Sequence, residues 1–153
     1  MSVDFEIKDN VARVTLNRPD RLNAIDSATD ATLAEIWNRI EGDSRIRCVV
    51  LTGTGKAFCA GADMKEDGPD GLTYWASTGD YGFGGNSIGG RISVPIIARV
   101  NGLAVGGGFE MVLGCDLIVA AETATFGLPE PRVGRLPLDG MITLPRLIPR
   151  ALA

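Results

Sequence analysis

Val3, Phe5 and Ile7 alternate with polar residues, Asp9-Asn10 interrupts them, and Val11 to Leu16 resumes the pattern. Two strands joined by a tight turn are predicted. Asn17-Arg18-Pro19-Asp20 ends the pair. Leu33, Ile36, Trp37 and Ile40 then fall at the i, i+3, i+4, i+7 spacing of a helix face, with Ser27 and Asp30 as a capping-box-like start and Gly42 as its end. Three largely apolar runs, each with one charge, follow at 46–52, 95–100 and 115–121, the form taken by strands covered on both faces. Between the last two, 101–114 reads as a glycine-rich turn entering a short buried helix. Thr125-Phe126 is a brief strand and 127–134 a loop. The stretch 66–90 has the weakest pattern and reads as a helix fragment followed by a mobile glycine-rich loop. Leu144, Leu147 and Ile148 begin a helix that Pro149 interrupts. Strand, turn, helix and strand recur, which implies one α/β domain over 1–153 with mostly parallel pairing.

Composition sharpens this picture by exclusion. The 153 residues carry a net charge of −4, so nucleic acid or an anionic membrane would bind against the overall field. Histidine is absent, which removes Ser-His-Asp and Cys-His catalysis, histidine proton shuttles and most zinc sites. Three widely spaced cysteines, Cys48, Cys59 and Cys115, fit neither a disulfide framework nor a metal knuckle and suggest a reducing compartment. No apolar run has the ~18–20 residues of a membrane span, and the opening MSVDFEIKDN does not read as a signal peptide. A soluble, cytoplasmic protein is expected. The 20 glycines exceed the usual frequency of about 7% and cluster beside apolar runs, where backbone must turn sharply or approach a ligand.

Two nucleotide-binding patterns fail on inspection. Gly53-Thr54-Gly55-Lys56 lacks the earlier glycine, because position 50 is Val50, and has Ala57 where Ser or Thr is needed. Gly106-Gly107-Gly108 leads to Met111 rather than a third spaced glycine. What remains is three loops, AFCAGADMKE from Ala57, NGLAVGGGFE from Asn101 and FGLPEPRVG from Phe126, each after an apolar run and hence at the strand ends where open α/β sheets bind ligands. Glu110 is the only charge between Arg99 and Asp116, and Glu130 is held between two prolines. Taken alone, Glu110 reads equally as a first-turn acid favoured by the helix dipole and as a catalytic group. Glu130 reads equally as a solvated loop residue and as a catalytic group.

Those three segments, with the opening LNRPDRLNAID, resemble the signature blocks of the enoyl-CoA hydratase/isomerase (crotonase) superfamily, in order and over nearly the whole chain. The resemblance implies a crotonase-like spiral of repeated β-β-α units, and an acyl-CoA thioester as substrate with no cofactor beyond the coenzyme A it carries. It implies an oxyanion hole from the amides of Ala62 and Gly107. Glu110 resembles the base that activates water for attack at the β-carbon, and Glu130 the acid that protonates the α-carbon. Leu22 and Ala24 resemble the loop at the adenine end. Ala62, Asp63, Met64 and Lys65, with Gly107, resemble the strip along the pantetheine and thioester. Both glutamates being present, hydration or dehydration is favoured over isomerisation, with a catalytically incomplete acyl-CoA binder as the other alternative. The blocks look more like the carnitinyl-CoA dehydratase branch than the short-chain fatty-acid branch. Residues 135–140 depart from the family's more glycine-rich turn. Family members continue into C-terminal helices and form trimers or hexamers, so this chain is expected to be the N-terminal part of a longer polypeptide, poorly active or abnormally associating by itself.

Overall fold

In a computed structural model of the chain, residues 1–66, 71–77, 79–149 and 151–152 are described. The expected hairpin is formed by β1 (Val3–Lys8) and β2 (Val11–Leu16), antiparallel with Val3 opposite Leu16. Asp9 and Asn10 both have positive φ, at 50° and 66°. A two-residue turn of that hand matches the twist of the strands it joins.

The helix α1 (Ser27–Glu41) buries Leu33, Ile36, Trp37 and Ile40, as the spacing required. Its cap differs from the expected one. Asp26 rather than Ser27 is the N-cap, and its Oδ1 accepts from the Thr29 N–H at 2.8 Å and the Thr29 hydroxyl at 2.6 Å. A carboxylate one residue earlier satisfies an orphan amide and faces the positive helix end, so it displaces the serine. Gly42 closes the helix in ordinary right-handed conformation, without a left-handed turn.

Three apolar runs become β3 (Cys48–Gly53), β5 (Ile96–Val100) and β7 (Leu117–Ala120). With the hairpin they form a sheet ordered β1-β2-β3-β5-β7, parallel from β2 onward. Each is followed within a few residues by a short strand: β4 (Ala57–Cys59), β6 (Leu103–Val105) and β8 (Thr125–Gly127). These pair in parallel as a second sheet, with Cys59 beside Ala104 and Ala104 beside Phe126. The glycine-rich loops of the sequence reading thus begin as strands. Two strands and then α2 (Gly71–Ser77), α3 (Gly107–Leu113) or α4 (Gly140–Leu147) make one unit, repeated three times. This is the crotonase-like spiral of β-β-α units.

Two asparagines stitch the sheets together. Asn23, buried and at φ 57°, donates from Nδ2 to the carbonyls of Thr54 and Ala57 at 2.9 and 2.8 Å. Asn101 donates to Gly55 and Ala57 at 2.9 and 3.0 Å and accepts from the Gly53 N–H.

Two expectations need correction. Of the stretch read as a mobile loop, residues 67–70 and 78 lie outside the described residues, but Phe83, Gly84, Asn86 and Ser87 are buried. Trp37 Nε1 donates to the Gly84 carbonyl at 2.8 Å, and Asn86 Nδ2 to the Met111 carbonyl at 3.0 Å. Repeated positive φ at Gly82, Gly84 and Gly85 folds the segment tightly into the core. The run at 115–121 is not covered on both faces either: all four residues of β7 are exposed, Val119 at 62%. Among the described residues it is the edge of its sheet, paired only with β5.

Candidate active site

One cavity of about 760 Å³ gathers residues from all three units: Gly61, Ala62 and Met64 after β4, Gly106, Gly107 and Glu110 after β6, and Pro129 to Leu136 after β8. The convergence of three strand-end loops is as the sequence implied.

Ala62 stands in a parallel bridge with Ile25, in which Ile25 N–H donates to Gly61 C=O and Asp63 N–H to Ile25 C=O, both at 2.8 Å. Such a bridge uses the groups on either side of Ala62 and turns its own N–H the other way. The Gly61 N–H is taken by Cys59 Sγ at 3.3 Å. Gly107 opens α3, so its N–H has no helical acceptor and sits at the positive end of the dipole. Among the described residues, neither the Ala62 nor the Gly107 amide meets a protein acceptor. A β-carbon on Gly61 would lie 3.1 Å from Gly107 N, so the two chains are in close contact.

The glycines here are dictated by their neighbours. Gly106 has φ +58°, and a β-carbon on it would sit 3.1 Å from Glu130 Oε1. A β-carbon on Gly107 would reach within 2.6 Å of the Phe83 ring. The triple glycine therefore serves packing as well as access.

Glu110 lies in the first turn of α3 and is 6% exposed. Its Oε1 accepts from the N–H groups of Asp139 and Gly140 at 3.1 and 2.8 Å, the start of α4. Burial, only partly offset by those amides and reinforced by Asp139 and Glu130, pushes its carboxyl up to about 7. Glu130 occupies a 3-10 turn over Glu130–Val133, and its buried Oε2 meets no partner among the described residues. Burial raises its carboxyl too. Two carboxyls and two unused amides thus face one cavity.

The CoA-side residues divide. Met64 and Asp63 line the cavity, whereas Leu22, Ala24 and Lys65 do not. Asp63 is bound by Arg21 Nη2 at 2.5 Å and Arg18 Nη2 at 3.1 Å, which hold it down to about 2. It ties the loop carrying Leu22 and Ala24 to the strip carrying Ala62. Leu22 C=O accepts from the Ala60 N–H at 3.0 Å, so that loop stands behind the site wall. Sequence reasoning missed Ile25, Tyr74, Phe83 and Leu138 in the lining, and treated Asp139 only as part of a divergent turn. The glycines around Phe83 were the available signal. Among the described residues no group of three or more acids and cysteines could hold a metal ion, and no helix is long and apolar enough to cross a membrane.

The family model described as enoyl-CoA hydratase/isomerase matches residues 6–153. The chain is 46% identical to the (E)-benzylidenesuccinyl-CoA hydratase of Thauera aromatica, over 100% of this chain and 60% of that protein. It is 39% identical to the carnitinyl-CoA dehydratase of Escherichia coli, over 94% of this chain and 55% of that protein. A crystal structure of an enoyl-CoA hydratase from Bacillus anthracis superposes with a TM-score of 0.87 at 34% identity, covering 99% of this chain and 60% of that one. The chain therefore spans between half and two thirds of the length of these relatives.

Proposed function

Since the chain belongs to the enoyl-CoA hydratase/isomerase family, we propose that its protein adds water across, or removes it from, the 2,3 double bond of an enoyl-CoA thioester. The relatives' names differ in the acyl group but share a CoA compound and hydration or dehydration, and the reading rests on the shared part. The thioester oxygen lies between the Ala62 and Gly107 amides, which stabilise it as it becomes an enolate. Glu110 orients a water and takes its proton as oxygen bonds the β-carbon. Glu130 delivers a proton to the α-carbon, and dehydration runs these steps in reverse. Coenzyme A enters as part of the substrate, along the strip of Asp63, Met64 and Lys65, with Leu22 and Ala24 toward the adenine end.

The observation that carries this reading is Glu110: a carboxyl with two amides fixed on one oxygen and an ordinary pH near its midpoint. A base serves best when its pKa lies near working pH, and burial of Glu130 favours its protonated form. The uncovered faces of β7 and α4 support assembly as a homotrimer or hexamer, with Leu117, Val119, Met141 and Leu147 exposed. The test is hydration of a 2-enoyl-CoA beside binding of the saturated acyl-CoA. Turnover with wild type and loss of ~10²-fold or more in Glu110→Gln, with binding retained, is expected. Binding without any hydration would sink the reading.

A further inference from the structure

Asp139 is 3% exposed and lies between two parts of the site that are far apart in sequence. Its own N–H and that of Gly140 hold Glu110 Oε1 at 3.1 and 2.8 Å. Its Oδ2 accepts from the Phe83 N–H at 3.0 Å and the Ser87 hydroxyl at 2.5 Å. Phe83 in turn has its ring against Gly107. We propose that Asp139 is a positioning residue: it ties the start of α4 to the 82–87 segment, and so fixes Glu110 and the Gly107 amide relative to one another.

The chemistry of the contacts argues for more than a closed turn. The two donors named are neutral and would be served by an asparagine oxygen as well. The carboxylate differs from that oxygen in its charge, which opposes the ionisation of Glu110. Arg132 and Arg135 line the same cavity but belong to the loop of Glu130. One residue therefore supplies an amide that orients the base and a charge that keeps it basic.

This inference rests on reading Glu110 as the base, and its test separates the two ideas. Glu110 is titrated directly by carboxyl ¹³C NMR in the full-length protein, with Glu110→Gln for assignment, in wild type, Asp139→Asn and Asp139→Ala. Asp139→Asn keeps an oxygen for Phe83 and Ser87, so it should fold like wild type. Loss of the charge should lower the Glu110 midpoint by about half a pH unit or more, and move the acidic limb of kcat/KM with it. Asp139→Ala should lower kcat about tenfold or more with KM within about twofold, and Asp139→Asn should recover part of that loss. A Glu110 midpoint unmoved in Asp139→Asn would overturn the electrostatic role, and a lower Tm in Asp139→Ala with kcat unchanged would overturn the positioning role. A midpoint that moves in a protein unable to hydrate any enoyl-CoA would leave the coupling standing and remove the proposed reaction instead.

Discussion

Arg21 Nη2 meets Asp63 Oδ1 at 2.5 Å across 42 residues of sequence, and Arg18 reaches the other oxygen of the same carboxylate. The pair clamps the 18–24 loop onto the strip that carries Ala62. Because the folded-state carboxyl is held down to about 2, against about 3.9 for an unfolded aspartate, its stabilisation is complete above roughly pH 4. It is lost as pH falls toward 2. Urea midpoints of wild type and Asp63→Asn should therefore differ at neutral pH and converge in acid. A gap that stays constant down to pH 2 would show that the clamp is not electrostatic.

Glu110 behaves in the opposite sense. Its folded-state carboxyl lies near 7, above the roughly 4.3 of an unfolded glutamate. The native state therefore binds the extra proton between those values, and stability falls as pH rises through that window. Glu110→Gln should lose turnover yet unfold at higher denaturant than wild type at pH 8. Equal midpoints at pH 8, or retained turnover, would contradict the assignment. In wild type, kcat/KM should decline below about pH 7 as the base is protonated.

Gly107 cannot accept a side chain without moving Phe83. Gly107→Ala should cost about 1–3 kcal/mol in denaturant unfolding, typical of overpacking. Phe83→Leu in the same background should return part of it. If the single variant is as stable as wild type, the ring is not the wall described here.

The four apolar residues of β7, Leu117 to Ala120, stand in solvent, and α4 adds Met141 and Leu147. Sedimentation should show concentration-dependent association. Val119→Lys should weaken it while leaving Tm within about a degree or two, since an exposed substitution rarely costs more than ~0.5 kcal/mol. Association unaffected by a charge at Val119 would move the contact elsewhere.

The elements with a strong local period were legible in the sequence. Trp37 and Ile40 had their helix face, Val3 to Leu16 their alternation, and the apolar runs their strands. Glu110 and Glu130 stood out because an isolated acid amid apolar residues, and one between prolines, are locally unusual. Of the second sheet only Thr125-Phe126 was legible, because β4 and β6 have three residues each. That is too short for any period to register, and the two are defined by each other across about 45 residues. Asp139 was hidden for a related reason. Its meaning lies in Phe83 and Ser87, 56 and 52 residues earlier, and nothing in Leu138-Asp139-Gly140 announces them. The exposed face of β7 could not be read either, because an apolar run has the same appearance whether covered or bare.

Asn101 is followed by Gly102, and an asparagine–glycine peptide is prone to self-modification. The glycine nitrogen attacks the side-chain carbonyl, ammonia leaves, and water opens the resulting imide to aspartate or isoaspartate. Here the side-chain amide is held by Gly53, Gly55 and Ala57 and cannot turn toward its own backbone. Where two sheets meet, the joint is also a guard. Each time it opens the reaction has its chance, and the product cannot close the joint again, because a carboxylate would face two carbonyl oxygens. Isoaspartate at this position would therefore mark a molecule whose joint has come apart.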